Sequence, residues 1–240
     1  MDKVNRVPRP RIQNLSDLIF GLALSISALT LIGQQPTTTQ DFAASLGAYA
    51  FSFLILIGLW QSYSSVTSIL PTETSSMVDL NVILLFLVSI EPYLFNELFA
   101  ARGELVPYVS SAYSIDLTGM FFILAFFLHL LAKEEKHLVP TVLLSRYRTR
   151  RNLTILGGLV FALSIYPYFG DVAVYTVVTG DRPYYFTVRS TLWLVALSLT
   201  WVGRLIMSLQ DRSNTRMVRK VKPNEPDQSV RPFRGRISPR

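Results

Sequence analysis

Long apolar blocks with few charges alternate along this chain with short, more highly charged segments. Six such blocks occupy residues 17–33, 42–63, 80–99, 117–132, 153–169 and 190–209. A helix rises about 1.5 Å per residue, so roughly 20 residues cross a hydrocarbon layer about 30 Å thick. The first, fourth and fifth blocks fall short of that length and need flanking residues to complete a span. The apolar residues form long runs rather than short alternating ones. The pattern therefore predicts an all-α integral membrane protein with six transmembrane helices in residues 1–209 and a tail in residues 210–240.

Composition points the same way. Only 16% of the 240 residues are charged and 50% are hydrophobic, whereas a soluble domain carries about 25% charged residues. The mean hydropathy is +0.35. Both values weigh against the blocks being buried helices of a large soluble protein.

Basic residues set the orientation. Lys3, Arg6, Arg9 and Arg11 precede the first block, and Lys133, Lys136, Arg146, Arg148, Arg150 and Arg151 lie between the fourth and fifth. The remainder, from Arg204 onward, leaves only Arg102, Arg182 and Arg189 of the 23 basic residues on the opposite side. Cytoplasmic segments carry the lysine and arginine excess, so both termini are expected in the cytoplasm. Segment 66–79, assigned to the same side, holds no lysine or arginine and does not help. The net charge of +7 thus belongs to segments facing anionic lipid. No aromatic-interleaved basic groove points to nucleic acid. From Asn214 the sequence mixes Arg, Lys, Pro, Ser and Gly and reads as a disordered, membrane-facing tail.

Little here points to catalysis or to a bound metal. Cysteine is absent, and His129 and His137 are the only histidines. No Ser-His-Asp grouping, glycine-rich phosphate loop or paired-carboxylate site is readable. The expectation is a protein that is not an enzyme and needs no cofactor. The polar, basic N-terminus lacks a cleavable signal pattern, so the first block is expected to stay in the membrane.

Arg11 and Asp17 bracket the entry to that first block, and no charge follows from Leu18 to Gly33. Charges at a membrane boundary are costly to desolvate unless paired. Within the block, Leu15, Leu18, Leu22, Ser25, Leu29 and Ile32 share one helical face at alternating three- and four-residue spacing. Large aliphatics bracket one hydroxyl along a line. Such a stripe suits a helix packed against neighbours, with serines bonding back to carbonyls. That packed helix is the reading the residues alone favour; the sharper one is a pore lining, where copies around an axis would stack aliphatic rings about a ring of hydroxyls.

Arg11, Leu15, Ser16 and Asp17 resemble the Arg-x-x-x-Phe-Ser-Asp signature of the transmembrane protein 175 family of potassium channels, in its prokaryotic single-repeat branch. The family's narrowest ring is a bulky aliphatic five residues after the aspartate, which matches Leu22. Its hydroxyl residue eight positions after matches Ser25, and its aliphatic twelve positions after matches Leu29. Gly58 and Trp60 are similar to the end of its second helix, and Asn81 with Pro92 to its third. Past that third helix only span count and topology match. Two departures stand out: Leu15 replaces the family's phenylalanine, and Tyr63 stands where a histidine is common.

The resemblance implies a leak-type, potassium-preferring channel in the cell membrane, built as a homotetramer with its four first helices lining the pore. Leu22 and Leu29 would form the constriction and Ser25 would offer oxygen to permeant potassium. Arg11, Ser16 and Asp17 would be structural, tying the cytoplasmic end of the pore helix to the second and third spans through Trp60 and Asn81. No carbonyl-ring filter sequence is present, so selectivity is expected to be modest. No span carries regularly spaced arginines, so voltage gating is not expected. The alternative from the residues alone is a proton-coupled secondary transporter using Glu91, about 16 Å into the third block. Against it stands the expectation that this helix ends near Pro92, leaving Glu91 at the membrane edge.

Overall fold

Helices occupy all six apolar blocks in the computed structural model, which describes residues 11–33, 38–67, 75–101, 103–134, 141–179 and 182–221. They are α1 (Arg11–Gly33), α2 (Thr39–Thr67), α3 (Ser75–Ala100), α4 (Leu105–Glu134), α5 (Thr141–Ser164), the single turn α6 (Tyr168–Asp171) and α7 (Val188–Val221). Between α6 and α7 lies one antiparallel hairpin, β1 (Ala173–Thr179) with β2 (Arg182–Thr187). Among the described residues, three helices are long and apolar enough to cross a membrane: Thr39–Thr67, Met77–Ala100 and Leu105–Leu131. Gln13–Leu29 is a shorter apolar helix.

The core is built around α4. Tyr113, Leu117, Met120, Leu124, Leu128 and Leu131 recur at three- and four-residue spacing and are all buried, the arrangement expected of an inward stripe. Against them pack Ile55, Leu56, Leu59 and Tyr63 of α2, and Leu84, Leu85, Val88 and Phe95 of α3. Gly157 and Gly158 let α5 approach closely. A Cβ at Gly157 would lie 3.1 Å from Thr200 of α7 and 3.2 Å from the Phe121 ring of α4. Small residues at such crossings permit the tight packing that holds helices together where lipid is as apolar as the side chains. At the start of α2, Thr38 Oγ1 accepts the Asp41 amide while the Asp41 carboxylate accepts the Thr38 amide, both at 3.1 Å. That reciprocal pair satisfies two otherwise unpaired donors.

Several boundaries differ from the sequence pattern. The fourth helix starts at Leu105, well ahead of residue 117, because the polar positions that interrupt the run (Ser110, Ser114 and Asp116) are buried inside the bundle. The fifth begins at Thr141 and takes in the basic stretch 146–151, since arginine is a good helix former. It ends at Ser164, short of residue 169 and just ahead of Pro167. Residues after Val172 form the hairpin, which the pattern of apolar blocks does not predict. Thr-Val-Val-Thr precedes Gly180-Asp181, and Arg-Pro-Tyr-Tyr-Phe-Thr follows it, which is a strand–turn–strand composition. The last helix continues to Val221, so residues 210–221 of the expected tail are helical. Pro223 follows two residues later. Residues 222–240 lie outside the described residues. The chain divides into two compact units, one ending at Gly203 and the other beginning at Arg204.

Candidate functional site

The first helix has two unlike faces. Leu15, Leu18, Leu22 and Leu29 each keep more than half of their surface exposed. Ser25 is exposed on the same line. On the opposite side Ser16, Phe20, Ala23 and Ser27 are buried against the bundle. The apolar stripe therefore points away from the protomer that carries it. Ile32 belongs to the same register, but its side chain lies outside the described residues. Ser25 donates its hydroxyl to the Gly21 carbonyl at 2.8 Å. With its proton used this way, the oxygen still has acceptor capacity toward the exposed face.

The N-terminal end of α1 is fastened by polar side chains. Ser16 Oγ lies 2.7 Å from the Tyr63 hydroxyl in a fully buried contact. Asn81 Nδ2 donates to the same Ser16 oxygen at 3.5 Å. Asp17 Oδ1 accepts the Trp60 indole N–H at 2.9 Å. One turn earlier, the Gln13 side-chain amide donates to the Thr67 carbonyl. Serine, aspartate, tryptophan and asparagine thus meet at one end of α1, joining it to α2 and α3. Tyr63 holds the position where the resemblance leads one to expect histidine. Its ring packs 5.8 Å from Phe20, and its hydroxyl closes the network. Leu15 is outside this network, on the exposed stripe. The Arg11 side chain lies outside the described residues.

A second polar group sits further along. Ser27 Oγ is 3.3 Å from Ser52 Oγ. Ser52 donates to Glu91 at 2.9 Å, and the Tyr113 hydroxyl donates to Glu91 at 3.1 Å. Glu91 is therefore buried within the bundle. The expectation that the third helix stops near Pro92 is corrected, because α3 runs through Pro92 to Ala100. Proline removes one backbone donor, a loss that membrane helices tolerate when neighbouring groups compensate.

Arg189 was read only as an outer-side charge, and its structural role is new. Its side chain is buried at the start of α7. Nε donates to the Ser164 carbonyl at 2.9 Å and Nη2 to the Tyr166 carbonyl at 3.2 Å. Nη1 reaches Ser110 of α4. The guanidinium thereby meets carbonyls at and just past the end of α5. A Cβ on Gly170 would lie 3.1 Å from its Cζ, so a larger residue there would press on the guanidinium. A lone arginine opening an apolar block was the available signal. Nearby, Trp193 donates to Ser114 at 3.1 Å and to Ser164 at 3.0 Å.

Among the described residues no group of three or more histidine, cysteine, aspartate or glutamate side chains could hold a metal ion. His137 lies outside them, and His129 is 3.2 Å from Arg151 Nη1.

Residues 11–92 match the family model described as the endosomal/lysosomal potassium channel TMEM175. The fold is similar to the crystal structure of a lysosomal potassium-selective channel TMEM175 homolog from Chamaesiphon minutus. That likeness has a TM-score of 0.52 at 15% identity, over 80% of this chain and 96% of that one. No curated protein matches this chain by sequence. The matched stretch contains the exposed stripe of α1, its polar anchor and Glu91.

Proposed function

We propose, from the match of residues 11–92 to the TMEM175 family model, that this protein is a multi-pass potassium channel of the cell membrane. Its first helix lines a central pore in a homotetramer, and α1–α5 and α7 supply six spans with both termini cytoplasmic. One observation carries this reading: the α1 stripe of Leu15, Leu18, Leu22, Ser25 and Leu29 is exposed while the opposite face is anchored in the bundle. A helix held so firmly on one side presents its other side in a fixed orientation. Four such helices around an axis would set rings of Leu22 and Leu29 on either side of a ring of Ser25 oxygens.

Conduction through such a pore is governed by dehydration. Apolar rings offer nothing to replace an ion's water, and the serine ring offers little. Potassium holds its hydration less tightly than sodium and crosses at lower cost. The pore is therefore a potassium-preferring leak of modest selectivity, and potassium is its permeant ion rather than a cofactor. No enzymatic step is required of any residue.

Bilayer recording of the purified protein with potassium opposed to sodium tests the reading, for wild type and Leu22→Ala. A potassium-leaning reversal potential that changes in the variant supports it; a silent bilayer from correctly assembled tetramers sinks it. A proton-coupled transporter using Glu91 is the second reading, favoured by the burial of that carboxyl within the bundle. Flux that saturates with substrate and follows the pH gradient steeply would select it.

A further inference from the structure

We propose that Glu91 is a positioning residue for the α1 stripe: through Ser52 and Ser27 it holds the C-terminal half of α1 in rotational register. Its consequence for flux rests on the pore reading above; the register itself does not.

The first helix is fastened at two points on one face. Ser16 and Ser27 stand eleven residues apart, which is about three turns, so they lie nearly in line and roughly 16 Å apart. Both are buried, as are Phe20 and Ala23 between them. Ser16 meets Tyr63 and Asn81, and Ser27 meets Ser52. A helix held at one point can swivel and tilt about it. A second fastening on the same face, farther along the axis, removes both freedoms. Ser25 and Leu29 stand two residues to either side of Ser27, roughly 200° around the helix from it. An inward Ser27 therefore turns Ser25 and Leu29 outward, and both are exposed.

The direction of the hydrogen bonds gives Glu91 its part. Ser52 has one hydroxyl proton and directs it at the Glu91 carboxyl, 2.9 Å from Oε1 and 3.2 Å from Oε2. It therefore meets Ser27, 3.3 Å away, as an acceptor. The carboxyl is itself fixed, because Oε1 also accepts the Tyr113 hydroxyl at 3.1 Å. The Tyr113 ring in turn lies 5.0 Å from Trp193 of α7 and 5.7 Å from Phe95 of α3. Ser27, Ser52, Glu91 and Tyr113 are each at most 1% exposed, so bulk water does not compete for these bonds. Without an acceptor at position 91, the Ser52 proton turns back to a carbonyl of its own helix one turn earlier, that of Ala48. Its oxygen then turns from Ser27, and the second fastening is lost while the first remains.

The chain contains no cysteine, so Leu18→Cys or Leu29→Cys carries a single nitroxide label per protomer. Electron paramagnetic resonance of the full-length protein in liposomes then reads the two ends of the stripe separately. Glu91→Leu should change the line shape at position 29 and leave position 18 as in wild type. Glu91→Gln keeps a carbonyl oxygen for Ser52 and Tyr113 and should leave both positions unchanged. Ser52→Ala cuts the same chain at its middle, and should reproduce the change at position 29 where Glu91→Leu does not assemble. An unaltered spectrum at position 29 in these assembled variants, equal changes at both positions, or Glu91→Gln as disruptive as Glu91→Leu would each overturn the proposal. The pore reading is tested apart, in the labelled protein with Glu91 intact. A label at position 29 that meets oxygen more often than a water-soluble nickel chelate faces lipid, which sinks the pore and not the register.

Discussion

Tyr63 of α2 and Ser16 of α1 meet oxygen to oxygen at 2.7 Å, with both side chains buried. This contact fixes the rotation of the first helix about its own axis. Turning Ser16 inward turns Leu15 and Leu18 outward, since positions one or two residues away fall on other sides of a helix.

Tyr63→Phe takes the 2.7 Å contact from Ser16 and keeps the longer Asn81 contact at 3.5 Å. A buried polar group that loses a good partner costs about 1–3 kcal/mol. The variant should therefore unfold at lower temperature in detergent while keeping its helical content. An unchanged melting temperature would show that the contact contributes nothing to stability.

The bond from Trp60 to Asp17 at 2.9 Å is charge-assisted, but neither residue is fully buried. Its expected contribution is about 1.5 kcal/mol, the low end for a bond to a charged group. A double-mutant cycle with Asp17→Asn and Trp60→Phe isolates it. Strictly additive effects on stability would mean that the two side chains act separately.

The first hundred residues were the most legible in sequence. The spacing of Leu15, Leu18, Leu22, Ser25 and Leu29 pointed to one face of a helix, and these residues share an exposed face while Ser16 of the signature is buried. Local spacing carries that information because helical periodicity is a property of neighbouring residues. Long-range pairing was less readable. That Tyr63 would reach Ser16, or that Glu91 would meet Ser52 and Tyr113, depends on how three helices pack, which no spacing within one helix encodes. Hydropathy also misplaced the start of α4. Ser110, Ser114 and Asp116 look like a surface segment in sequence and are buried in the structure. The hairpin was missed because its aromatic residues resemble a membrane-interface belt as much as a strand.

Arg189 should be the least replaceable charge in the described bundle. It holds the Ser164 and Tyr166 carbonyls and Ser110 at once. Lysine keeps the charge but not the planar fork of donors. Arg189→Lys should therefore lose most of the stability lost by Arg189→Met, on the order of 3 kcal/mol for a broken buried network. Thermal melts of the two variants should nearly coincide; full rescue by lysine would show that charge alone matters.

The two faces of α1 call for opposite outcomes from the same kind of truncation. Phe20 is 1% exposed and packs on Tyr63, so Phe20→Ala opens a cavity and should cost about 3–5 kcal/mol. Leu22, two residues later, is 56% exposed, and Leu22→Ala should change protomer stability by less than about 0.5 kcal/mol. If Leu22 forms the constriction, the same substitution widens it, raising potassium conductance and blunting the preference over sodium. Measured together, melting temperature and conductance separate packing from permeation. A large loss of stability with no change in current would assign the stripe to helix packing instead of a pore, because only a lining residue can alter flux while leaving the protomer intact.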